Sequence, residues 1–125
     1  MTDNVVYTKL ENGIYRFYWH NVEIPTIHEY VKIFKRLHDI IPENATVHLL
    51  HDYRDTGTPP FNTVATIMKN FKMRADITLR VAHLYSDGIY PTIMQNASIV
   101  ARFDANRKFF RANEEQQAID WLLDY

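Results

Sequence analysis

Residues 48–63 read HLLHDYRDTGTPPFNT, and the fold depends on how this stretch is read. It holds two His, two Asp, one Arg and three Thr around one Gly and two Pro. That composition suits a reactive centre. It also suits a buried strand that ends, turns and enters a helix. With the three residues before it, ATVHLLHDYR is a short apolar run rich in strand formers, and it predicts a buried central strand. Beyond it, TPPFNTVATIMKNFKM sets Phe61, Val64, Ile67, Met68 and Phe71 at helical spacing. Thr58 is the expected N-cap, with Pro59 at the first helical position, where its missing N–H costs nothing.

Upstream, VVYTKLENGIYRFYWH is two alternating runs around Asn12-Gly13, the pair that suits a type I′ hairpin turn. Tyr15, Phe17 and Trp19 fall on one face of the second run; Ile14, Arg16 and Tyr18 fall on the other. In PTIHEYVKIFKRLHDIIP, Ile27, Tyr30, Val31, Phe34, Leu37 and Ile41 recur at helical spacing. Thr26 and Glu29 are expected to form a capping box, and Pro42 to stop the helix. Downstream, ITLRVAHLYSD is a strand ending at Asp87-Gly88, and YPTIMQNASIVARF is a helix capped by Asp87. RKFFRA is a last short strand, and NEEQQAIDWLLDY a helix with Asn113 as cap and Gln116 three residues on.

The predicted order is β-β-α-β-α-β-α-β-α, an α/β fold with a mixed sheet, an N-terminal β-hairpin and four helices, all in one domain spanning residues 1–125. Hydrophobic residues make up 46% and charged ones 23%, which fits a packed globular chain. The absence of Cys excludes disulfides, thiolate metal sites and cysteine catalysis. A formal net charge of −1 lacks the basic excess of a nucleic-acid binder, and no apolar run is long enough to span a membrane. A cytoplasmic location is the expectation. The tyrosines and phenylalanines invite a base-stacking platform at Tyr15, Phe17 and Trp19, but core packing accounts for them more simply.

The element order, HLLHDYRD, and the closing FFRANEEQQAIDWLLDY with Ala118, Trp121 and Leu122 together resemble the STAS fold (sulfate transporter and anti-sigma factor antagonist), and within it the SpoIIAA-like family. The resemblance implies a bacterial regulatory module that docks on a kinase-like protein partner and is switched by phosphorylation at the start of the helix after the central strand. Thr58, and after it Thr56, hold that place. The usual Asp-Ser-Ser-Gly acceptor motif is replaced here by RDTGTPPF. The family's broad relation to Sec14-type lipid-binding domains implies a second role, binding a small apolar ligand.

The residues themselves define the candidate surface for a partner or ligand: Asp52, Tyr53, Arg54, Asp55, Phe61, Tyr85, Asp87 and Tyr90, gathered near the carboxyl ends of the strands, where α/β sheets favour ligands. Tyr53, Phe61, Tyr85 and Tyr90 are the expected lining of an apolar pocket, with Arg54 orienting a charged head. Turn chemistry explains much of the same set: Asp52 accepts backbone N–H groups and Arg54 pairs with Asp55 or a neighbour. Strand alternation sends His51 and Asp52 to opposite faces, a poor arrangement for a proton relay. His51 and His83 are expected to approach each other, but two His without a third ligand make a weak metal site. No metal, cofactor or catalytic residue is expected; a homodimer is.

Overall fold

The computed structural model describes residues 4–56, 60–86, 88 and 106–124. Five strands form one mixed sheet: β1 (Val5–Lys9), β2 (Tyr15–Trp19), β3 (Thr46–Asp52), β4 (Thr78–Tyr85) and β5 (Arg107–Arg111). They lie in chain order across the sheet. β1 pairs antiparallel with β2, and every later pair is parallel. The described helices are α1 (Ile24–Ile40), α2 (Phe61–Ile67) and α3 (Glu115–Leu123), with a 3₁₀ turn over Ala112–Glu114 before the last. The predicted helix over 90–103, with Thr58, Asp87 and Tyr90, lies outside the described residues.

Parallel neighbours in chain order, joined by crossovers of one hand, place the crossover helices on one face. α1 and α2 share that face. Val31, Phe34 and Leu37 pack there on Phe17, Trp19, Val47, Leu49, Val81 and Phe109, with Val64 and Ile67 alongside. α3 covers the opposite face, where Ala118 and Leu122 meet Ile14, Leu50, Ala82, Leu84 and Phe110. The alternation read in β2 and β3 therefore sorts side chains between two cores. Phe17 and Trp19 are fully buried under α1, so they are packing rather than a stacking platform.

Local details differ from the sequence reading in four places. The hairpin is not a two-residue type I′ turn, because only Gly13 has positive φ, at 89°. Glu11, Asn12 and Gly13 form a three-residue loop closed by Leu10 N–H to Ile14 O at 2.8 Å, and the Asn12 side chain accepts the Ile14 N–H at 3.1 Å. α1 starts at Ile24, with Glu23 at the cap position, so Thr26 and Glu29 lie inside the helix and form no capping box. Asn21 organises that entry instead, its Oδ1 accepting Glu23 N–H at 3.0 Å and the Thr26 hydroxyl at 2.5 Å. α2 begins at Phe61, after Pro60, rather than at Thr58 with Pro59. At the start of the last helix Glu114, not Gln116, reaches back, accepting Arg111 N–H at 2.8 Å; Gln116 bonds Asp120.

Candidate functional site at the strand ends

β3 ends on Asp52 and delivers its last side chains to two faces. On the α3 face, Asp52 is fully buried. Arg16, brought alongside by the β2–β3 register, donates to Asp52 Oδ2 from Nη2 at 2.6 Å. Arg54 donates its backbone N–H to Asp52 Oδ1 at 3.1 Å and its Nε–H at 2.9 Å. Arg54 Nη2 also donates to Glu115 Oε1 at 2.8 Å, and Arg16 lies 3.4 Å from the same oxygen. Two guanidiniums and two carboxylates thus close a neutral cluster. Its hydrogen bond to Asp52 is the main reason the Arg54 pKa is raised. The expected Arg54–Asp55 pairing gives way to Asp52 and Glu115. Asp55 instead accepts the Tyr18 hydroxyl.

The turn after Asp52 is tied down by its own backbone. Tyr53 N–H continues the sheet to Leu84 O at 2.9 Å, and Tyr53 O accepts both the N–H and the hydroxyl of Thr56, each at 3.0 Å. The Thr56 hydroxyl therefore belongs to the turn.

On the α1 face, the same strand end carries a ring stack. His51 and His83 are register partners, and their rings stack with centroids 5.0 Å apart. Tyr53 stacks between Trp19 and Tyr85 at 5.3 and 5.7 Å, and Phe109 lies 5.2 Å from His83 and 5.7 Å from Tyr85. Tyr53 and Tyr85 are buried, so they contribute core rather than the surface or pocket lining expected of them. Nothing is described of the Phe61 side chain.

Burial, with Arg107 nearby, lowers the pKa of His51 to about 3 and that of His83 well below its ordinary value. Burial raises the Tyr30, Tyr53 and Tyr85 hydroxyls. The Tyr30 hydroxyl and His51 Nε2 share a buried hydrogen bond at 3.0 Å, in which the phenol can donate or accept. At His83 the direction is fixed: Arg107 Nη1 lies 2.6 Å from Nε2, and a guanidinium has no acceptor, so Nδ1 carries the His83 proton.

His51 and Asp52 do lie on opposite faces, as alternation required. The His51–His83 approach is also found. Among the described residues no three His, Asp or Glu side chains gather as a metal site. Ligand crevices in open α/β sheets form where strand order reverses, and this sheet's order never does.

Arg16, Glu115, Tyr30 and Arg107 were not singled out from sequence as site residues. Arg16 was legible, since alternation puts it on the Asp52 side of the sheet. Glu115 was not, because its position depends on how α3 docks. In comparisons with known proteins, no family model, curated protein or solved structure matched the chain. No described helix is long and apolar enough to cross a membrane.

Proposed function

We propose that this chain is a non-enzymatic α/β interaction module, a regulatory domain of the kind its STAS resemblance implies, acting by contact with a protein partner. The observation that supports this reading is the closure of the strand-end cluster. Asp52 is held by both Arg16 and Arg54, and Glu115 shares both guanidiniums, so the charged residues there serve one another. The histidines of the other face are neutral and packed between rings. At the strand end Asp55 is exposed, with half-buried Arg54 and Thr56 on either side of it. That surface is where a docking partner would read the chain.

The test compares wild type with Asp55→Lys and Asp52→Asn. A crosslinked partner recovered from the source cell with wild type and lost with Asp55→Lys supports the module. Turnover on a metabolite panel that disappears in Asp52→Asn while the variant stays folded would establish an enzyme instead. For the switch, intact-mass measurement of protein from that cell reports whether Thr56 or Thr58 carries phosphate.

A further inference from the structure

We infer that the groove between β1 and α1 seats a second copy of this chain, joined through the two β1 edges. The proposal stands apart from the partner reading above, which concerns the other end of the sheet.

β1 is an outer strand, bonded among the described residues to β2 alone. His20 N–H donates to Asn4 O at 2.8 Å and Leu10 N–H to Ile14 O at 2.8 Å. In an antiparallel ladder, alternate residues bond to the same neighbour. The even-numbered residues of β1 therefore bond inward, and the main-chain groups of Val5, Tyr7 and Lys9 point out of the sheet. Val5 through Thr8 carry no proline, no charge and no bulge, the devices that ordinarily blunt an edge. Lys9 marks where pairing stops.

Beside this edge runs an open groove of about 870 Å³. Its apolar lining includes Val6, Tyr7, Ile33 and Ile40, of which Val6, Tyr7 and Ile40 are 38%, 37% and 76% exposed. Its charged lining, Glu29, Lys32, Arg36 and Asp39, is two acids and two bases.

The charge order favours a copy of the same surface as occupant. Glu29 and Arg36 are two helical turns apart on one row, on either side of Ile33. A two-fold axis passing beside Ile33 sets Glu29 against Arg36 of the second copy, twice. A partner of one sign would leave half of that row facing like charge. The strand side of the groove centres on Val6. The same two-fold passing there lets Val5 and Tyr7 bond Tyr7 and Val5 of the second copy, with the two Val6 side chains meeting at the close, non-hydrogen-bonded pair. An isologous interface requires this kind of self-complementarity.

Sedimentation equilibrium of the full chain over a wide concentration range, with amide exchange followed residue by residue, tests the proposal. A reversible dimer is expected, with the Tyr7 amide slowing as the dimer forms. Arg36→Glu should weaken the dimer at least about tenfold, and Glu29→Arg with Arg36→Glu should restore it, since reversed charges still face each other. A chain that stays monomeric, a dimer whose Tyr7 amide exchanges freely, or a dimer indifferent to both charge variants overturns it. Tyr7 protection that appears only when another protein is added to a monomeric chain also overturns it.

Discussion

His51 and His83 show how burial turns a familiar functional residue into a structural one. Each is hydrogen-bonded as a neutral ring, His51 to the Tyr30 hydroxyl and His83 to Arg107, and both are disfavoured as cations by burial and by Arg107. The consequence is a pH dependence of stability with a definite sign. Above about pH 6.5 the rings are neutral in both folded and unfolded chains and contribute no slope. As pH falls below 6.5 the unfolded chain takes up protons that the folded chain refuses until about pH 3 for His51, so folding weakens. Each histidine contributes up to about 1.4 kcal/mol per pH unit in that window. Asp76, held at about 2 by Arg74 and the Asn44 N–H, adds to the loss only as pH falls below its ordinary value of 3.8. Urea unfolding at pH 7.5, 6 and 5 should therefore show falling stability, and His51→Gln should flatten the fall. Equal stability at pH 7.5 and 5 would show that the rings are not held neutral. The ring pairing was legible in part: the strand registers had to be assumed before His51 could be placed beside His83. Arg107, the first residue of the expected last strand, carried no such signal.

Among elements, α1 was the most readable and its end the least. The apolar spacing from Ile27 to Ile41 located the buried stripe, and Pro42 marked the stop. What holds that stop is Arg74, 32 residues further on and invisible to local pattern. Its guanidinium donates to His38 O at 3.0 Å, Ile41 O at 2.8 Å and Asp76 Oδ2 at 2.8 Å, while its backbone N–H donates to His38 Nε2 at 3.0 Å. The carbonyls at a helix C-terminus have no partners within the helix, and a cation there also meets the negative end of the dipole. Arg74→Ala should lower the thermal midpoint by several degrees and speed amide exchange in the last turn of α1, while Arg74→Lys should recover part of the loss. An unchanged midpoint in Arg74→Ala would mean that water caps the helix equally well. α2 illustrates the converse. Its helical spacing extends to Phe71, yet the helix ends at Ile67, and Phe71 packs on Phe34 and His38 from the loop beyond. Periodicity identified which side chains reach the core but not which backbone between them stays helical.

For the molecule as a whole, the α/β class and the mixed sheet with its N-terminal hairpin follow from alternating runs and short connections, and the structure bears them out. The two-faced core follows from the alternation of β2 and β3. What pattern alone did not specify was the docking of α3, because an amphipathic helix that follows a strand through a short turn can cover either apolar face of the sheet. Part of the answer is chemical. Glu115, in the first turn of α3, meets Arg54 and Arg16, and both meet Asp52 at the end of β3. The opening motif is thus a joint between sheet and helix. Asp52 is the fully buried member of the cluster, and replacing its carboxylate removes charge-assisted hydrogen bonds from two half-exposed arginines, at a cost of about 2 kcal/mol. Residues kept for chemistry behave differently: their replacement commonly leaves stability unchanged or raises it. Equilibrium urea unfolding of Asp52→Asn beside wild type at pH 7.5 separates the two most directly. A loss of about 2 kcal/mol, with faster amide exchange through α3, is the expected result. Stability equal to or above wild type would contradict the account and return HLLHDYRD to the catalogue of reactive centres.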